Sequence, residues 1–386
     1  MKTYRIIYPT LGGARKIHDF NFKSAINLWF DDKTKAIEIY GKIENWDTKD
    51  VYDMSEAFWG RENFNENISK WDTSNVEDMN GMFYGAKQFN QPIGEWNTSK
   101  VENMEYMFED AKEFNQPIGK WDTSKVKNMR SMFKNAENFN GDITNWNTSN
   151  VTNMSDMFHG ASSFNQDIYT KTITIKKYIF IGENITYWDT SKVKSMDSMF
   201  QRAEKFNGKI DNWDVSNVID MEYMFADAKS FNQNINTKEI TKEDGTTYIA
   251  WNVSNVKRMN YMFRDAKSFS PDSLNLWDTS NVVSMSHMFD GAEKFNGKID
   301  RWAISNLLYF YNMFQNAKSF SKKNINSKII ISVLKLLNTK DSPYIIQKAY
   351  VAWDLSSINY ENLFDKVKLS GLPKNWVKKT YPEKNG

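Results

Sequence analysis

Among 386 residues there is no cysteine, and only 3 histidines and 7 prolines. The missing cysteines exclude a disulfide scaffold, a thiolate metal site, a cysteine nucleophile and a lipid anchor on cysteine. His18, His159 and His287 lie far apart in the chain, which argues against a histidine-rich zinc site and against most histidine acid-base chemistry. A dominant charge is missing too. With 50 basic and 48 acidic residues the formal charge is +2, so no global field draws in nucleic acid or an anionic membrane. No apolar run approaches the roughly 18 residues of a spanning helix. Residues 1–15 are interrupted by Pro9 and lack a secretory apolar region, so no signal peptide is expected.

What the chain has in excess is 14 Trp, 19 Met and 26 Phe. Trp46, Trp71, Trp96, Trp121 and Trp146 are each 25 residues apart, and each opens the pattern W-[DN]-T-x-x-V-x-x-M-x-x-[MA]-F-x-x-[AR]-x-x-F-N-x-x-I. Later copies open at Trp188, Trp213, Trp251, Trp277 and Trp302, and a degenerate one at Trp353. A unit this short cannot bury its own apolar side, so the copies must stack on one another. The Trp, Met, Phe and Ile positions then become continuous core columns.

Each unit reads in two parts. Val76, Met79, Met82, Phe83 and Ala86 recur at steps of three and four, which predicts a short helix or helical turn. Thr73 and Ser74 stand at its N-cap, with possible capping boxes in Ser74–Glu77 and Ser99–Glu102. The stretch from Phe89 through Ile93 to Trp96 predicts a short extended segment that stacks into a parallel sheet. The Asn after the last Phe (Asn65, Asn90, Asn115, Asn140) is expected inside the coil, satisfying backbone groups. The expected fold is a repeat solenoid of about 11 coils, each with a short parallel β-strand and a short helix or helical turn. A capping segment is expected over 1–45, the solenoid over 46–352, and a degenerate last repeat, C-terminal cap and mobile tail over 353–386.

Three insertions share one slot. The step from the last Phe to the next Trp, normally 7, becomes 24 from Phe164 to Trp188, 20 from Phe231 to Trp251 and 33 from Phe320 to Trp353. They fall near 169–186, 236–249 and 326–351 and read as hairpins. The first is expected to turn at Lys176-Lys177 and return through Tyr178, the second to turn at Asp244-Gly245. The third, around 338–343, reads as a hairpin or as a segment that begins with a helix. Two roles stay open for these insertions: covering apolar edges of the stack, or presenting a partner surface. For the second role the candidate contact residues are Lys176, Lys177, Tyr178, Asp244, Gly245, Lys340 and Asp341.

Catalytic chemistry is not legible. The Asp after each Trp (Asp47, Asp72, Asp122) alternates with Asn97, Asn147 and Asn252, and since Asn cannot act as an anionic base, a turn or cap role is expected. The threonine ladder (Thr48, Thr73, Thr98) is broken by Val215 and Val253, which suggests selection for β-branched shape. No cofactor or metal site is expected, and the chain is read as non-enzymatic.

The runs 71–96, WDTSNVEDMNGMFYGAKQFNQPIGEW, and 146–168, WNTSNVTNMSDMFHGASSFNQDI, closely resemble the BspA-like leucine-rich-repeat surface proteins with their mycoplasma-type repeat. The segment 24–46 resembles the lead-in of that family, and the likeness extends over about 24–366. The resemblance implies a leucine-rich-repeat-like solenoid with Met, Phe and Trp at many Leu positions. It also implies an adhesion or interaction role toward a protein or glycan. Without a signal peptide, lipidated cysteine or cell-wall anchor in the sequence, an intracellular or virion-associated protein is expected, the alternative function being a structural part of a large DNA virus particle.

Overall fold

The computed structural model describes residues 14–178, 181–242, 244–303, 306–309 and 312–321. The chain opens with helix α1, Asp19–Asp31, and helix α2, Lys33–Tyr40. The side chain of Asp32 accepts a hydrogen bond from the Lys35 backbone at 3.0 Å and so starts α2. Apolar faces of both helices cover the first repeat. Trp29 meets Trp46 edge-on at 6.0 Å, Phe22 meets Trp71, and Phe30 packs on Phe58 and Phe64.

Beyond residue 45 the described residues contain no helix, and the only strands belong to the insertions. Both elements expected in each unit are therefore corrected. The Val–Met–Phe segment is a run of tight turns that carries nearly all the parallel pairing; the stretch equivalent to Phe89 to Trp96 shows it, among the described residues, in the bridge from Ser273 to Lys298. Single-residue parallel bridges connect Asp53, Asp78, Asn103, Asn128, Asn153, Ser195, Asp220, Arg258, Ser284 and Tyr309 in sequence. The bridges from Asn153 to Ser195 and from Asp220 to Arg258 keep this register across both described insertions.

The hydrogen bonds show why the spacing misleads. Met82 donates to the Met79 carbonyl at 3.2 Å and Ala86 to that of Phe83 at 3.0 Å, closing turns within the repeat. The alternate N–H groups point to the next repeat: Met79 to Asn103 at 3.1 Å, Gly81 to Glu105 at 2.8 Å, Phe83 to Met107 at 2.9 Å and Gly85 to Glu109 at 2.7 Å. An α-helix would spend all of these donors on its own carbonyls. Chained four-residue turns also bring every third or fourth side chain to one side, so helix and turn run share a periodicity. What separates them is positive φ at the third turn residue, here +54° at Gly81 and +66° at Gly85. Gly, Asn or Asp fills the second of these slots in nearly every repeat, as in Asp110, Asn135, Gly160 and Asp227. The proposed capping boxes start no helix. Ser74 instead donates its backbone N–H to Asp72 at 2.9 Å, and Glu77 donates to the Tyr52 carbonyl at 2.8 Å.

The core is built of columns. One runs Phe58, Phe83, Phe108, Phe133, Phe158, Phe200, Phe225, Phe263, Phe289 and Phe314 with neighbouring centroids 5.4–5.7 Å apart. A second, from Phe64 to Phe320, lies beside it, and within one repeat Phe83 and Phe89 stack at 3.9 Å. The Trp column is tied by its indole N–H groups, as in Trp71 donating to the Ile43 carbonyl at 2.8 Å. Buried Thr48, Thr73 and Thr98 donate their hydroxyls to Asp72, Asn97 and Asp122 carbonyls, each at 3.0 Å. Hydrogen bonding between repeats, beyond β-branched shape, therefore explains the threonine ladder. The asparagine ladder differs in place from expectation: Asn65, Asn115 and Asn140 are exposed at the outer surface. There each side chain accepts the next repeat's backbone N–H, as in Asn90 to Asn65 at 3.0 Å.

Candidate interaction surface

Strands β1, Lys171–Tyr178, and β2, Ile181–Tyr187, pair antiparallel, as do β3, Lys238–Thr241, and β4, Thr247–Ala250. Lys176 and Lys177 do not form the first turn. Strand β1 continues to Tyr178, which pairs with Ile181, and an irregularity falls between Lys176 and Tyr178. The second hairpin turns through Asp244 and Gly245, where Gly245 has φ +81° and Asp244 accepts the Thr246 N–H at 2.9 Å. Lys340 and Asp341, with the third insertion, the degenerate repeat at Trp353 and the C-terminal cap, lie outside the described residues.

The two hairpins leave and rejoin the stack by the same device. Thr170 donates its hydroxyl to the Trp188 carbonyl at 2.7 Å, and Thr237 donates to that of Trp251 at 2.9 Å. Trp188 and Trp251 take positive φ, +48° and +50°, as the chain re-enters its column. Their bases are also tied together. Asn212 exchanges hydrogen bonds with the Thr170 backbone at 2.9 and 2.6 Å, and the Tyr248 hydroxyl donates to the Asn212 carbonyl. Burial pushes the Tyr248 hydroxyl above the ordinary tyrosine pKa. The hairpin bases are thus seated on the stack, while Lys238, Glu239, Thr241 and Thr247 are exposed above them.

A second surface was not legible in the sequence: the variable positions around the Met slots, which align from repeat to repeat. Near one end Trp59, 43% exposed where the other described Trp residues lie in the core, stacks on Tyr84 at 3.8 Å. In the middle lie small and acidic residues, with Ser131, Ser155 and Ser198 buried and Asp156 and Asp197 half-buried. Toward the other end come Tyr223, Tyr261 and His287. The His159 Nδ1 lies 3.0 Å from the Asp156 carboxylate. Among the described residues no three His, Asp or Glu side chains converge to hold a metal ion.

Burial raises the Asp197 carboxyl to about 6, with the charges of Asp220 and Asp156 adding to the shift. Because its pKa in the fold exceeds the ordinary 3.8, the folded chain holds this proton more tightly than the unfolded one. Its contribution to stability is therefore greatest below about 4 and is lost as pH rises through about 6. The melting-temperature advantage of Asp197→Asn over the wild type is expected to grow between those limits. A difference that stays constant from pH 4 to pH 7 would contradict the assignment.

Comparison with known proteins fits this repeated architecture. No curated protein and no solved structure matches the chain. The family described as Mycoplasma protein of unknown function, DUF285, matches four times, over residues 24–121, 114–182, 175–270 and 238–353. These tandem matches span most of the stack and both hairpins, and the chain accordingly belongs to the DUF285 family.

Proposed function

We propose that the chain is a non-enzymatic interaction scaffold, a leucine-rich-repeat-related solenoid of the BspA-like kind that engages a protein or glycan in an adhesin-like role. The observation that carries this reading is the pair of hairpins, individual in sequence, that rise from one slot of an otherwise uniform ladder and are joined at their bases through Asn212. A rigid stack with localised projections suits recognition by shape and a few anchors. The alternative of a particle component held by lateral contacts draws on Lys87, Lys112 and Asn138. These side chains engage Glu62, Glu137 and Glu113 of adjacent repeats, so their polar groups already serve the stack.

The test is affinity capture from host material with the full chain and with a variant whose hairpins are shortened to tight turns at 173–184 and 241–247. The shortened chain is expected to melt cooperatively and to lose its partner, with retention falling at least about tenfold. Undiminished capture by the shortened chain would refute the hairpin role.

A further inference from the structure

Tyr223, Tyr261 and His287, contributed by three successive repeats, form a column of nearly parallel rings with centroids 4.6 and 4.7 Å apart. The Arg264 guanidinium lies 5.5 Å from the Tyr261 ring and 6.0 Å from that of Tyr223, and is itself held by Asp227 at 3.1 Å. His287 is oriented by Asp290, 3.0 Å from its Nδ1. Beside this column opens a cavity of about 390 Å³ lined by Asn260, Tyr261, Ser284, Ser286, His287 and Tyr309. Its polar side is ordered: Asn260 accepts hydrogen bonds from the Ser284 hydroxyl and from the Ser286 backbone, the latter at 2.8 Å, and donates to Glu222. Tyr309, 48% exposed, stands at the rim.

We infer that this cavity receives a terminal pyranose ring of a neutral glycan. The inference rests on the scaffold reading and names a site on it that is separate from the hairpins. A pyranose has C–H groups with slight positive charge on its faces and hydroxyls around its edge. Aromatic rings carry negative faces that attract such C–H groups; both faces of Tyr261 are covered by Tyr223 and His287, so the rings that meet the sugar are Tyr309, half-exposed at the rim, and the side of His287 turned away from Tyr261. The Ser284 hydroxyl, whose proton goes to Asn260, can still accept a hydrogen bond from the sugar's edge, and the second amide N–H of Asn260 can donate one to it. Among the described residues no carboxylate, lysine or arginine lines the cavity, so none of them selects a charged ligand. The apolar side chain of a protein partner fits less well, because it would strip water from the serine and asparagine groups without replacing their bonds. The volume lies at the low end of small-ligand sites, and the cavity is open, which suits one ring at the end of a longer chain.

The full chain is to be examined by saturation-transfer NMR with methyl α-mannoside, methyl β-galactoside, methyl β-glucoside and N-acetylglucosamine as separate probes. At least one is expected to receive saturation, strongest on the C–H protons of one ring face. Tyr309→Ala and His287→Asn should each weaken that probe about tenfold. Neither change should unfold the chain, since Tyr309 is exposed and Asn tolerates the φ of +55° at position 287, as Asn312 does at +49° one repeat later. No transfer from any of the four sugars, or transfer that survives both substitutions, would overturn the inference. The hairpin-shortened chain should bind the sugar as the wild type does. Loss of protein capture with no sugar signal would defeat this site alone, and a sugar signal with undiminished capture would defeat only the hairpin role.

Discussion

Phe133→Ala is expected to destabilise the chain by about 3–5 kcal/mol, the loss usual for deleting a large buried aromatic ring. Phe133 is fully buried and its ring touches the column on every side: Phe108 at 5.6 Å, Phe158 at 5.7 Å, Phe139 at 3.9 Å and Trp146 at 6.0 Å. Neighbouring repeats are held in register by hydrogen bonds on both sides, so the void cannot close by local collapse. In a stack, stability is close to a sum of repeat terms and interface terms, and removing the ring weakens two interfaces at once. Hydrogen exchange should therefore accelerate on both sides of the lesion, over 104–135 and 154–200, and the unfolding transition should lose cooperativity. A loss below about 1 kcal/mol with uniform exchange would show that the column is not the coupling element.

Gly208→Ala is expected to cost about 3 kcal/mol, the upper end for forcing atoms into a packed site. A Cβ at Gly208 would lie 1.9 Å from the Gln166 carbonyl oxygen and 3.1 Å from the Phe206 ring. One neighbour is the backbone of the preceding repeat and the other is core, so neither can yield cheaply. Gly245→Ala is the control. Nothing lies within 4 Å of its Cβ position, and only the strain of φ +81° remains, about 1 kcal/mol. Denaturant midpoints of the two variants separate the effects, and equal losses would mean that the close approach at Gly208 is not rigid.

These two sites differ in how far they can be foreseen. Phe133 is legible as core because its slot recurs as Phe in every described repeat. Gly208 is not, since the same slot holds Gln in other repeats, and only the approach of a carbonyl from residue 166 gives it a reason. The unit's secondary structure departs from what the spacing predicts for a similar cause. Steps of three and four between Val76, Met79, Met82, Phe83 and Ala86 describe which side chains face inward, and both an α-helix and a chain of turns obey them. The destination of the alternate N–H groups distinguishes the two, and that destination lies 24 residues away, as from Met79 to Asn103.

The 25-residue period, the identity of the buried residues and the shared slot of the insertions follow from the amino-acid order alone, because burial repeats wherever the pattern repeats. The surface was decided by the stack. The charge of Asp156 bears on Asp197 although they stand 41 positions apart in the chain, and Tyr223, Tyr261 and His287 become one column only when an inserted hairpin is looped out between the first two. Variable positions carry no period of their own. Their neighbours are set by the register of backbone hydrogen bonds between repeats, and it is that register which brings the rings, hydroxyls and amide of the proposed sugar site together.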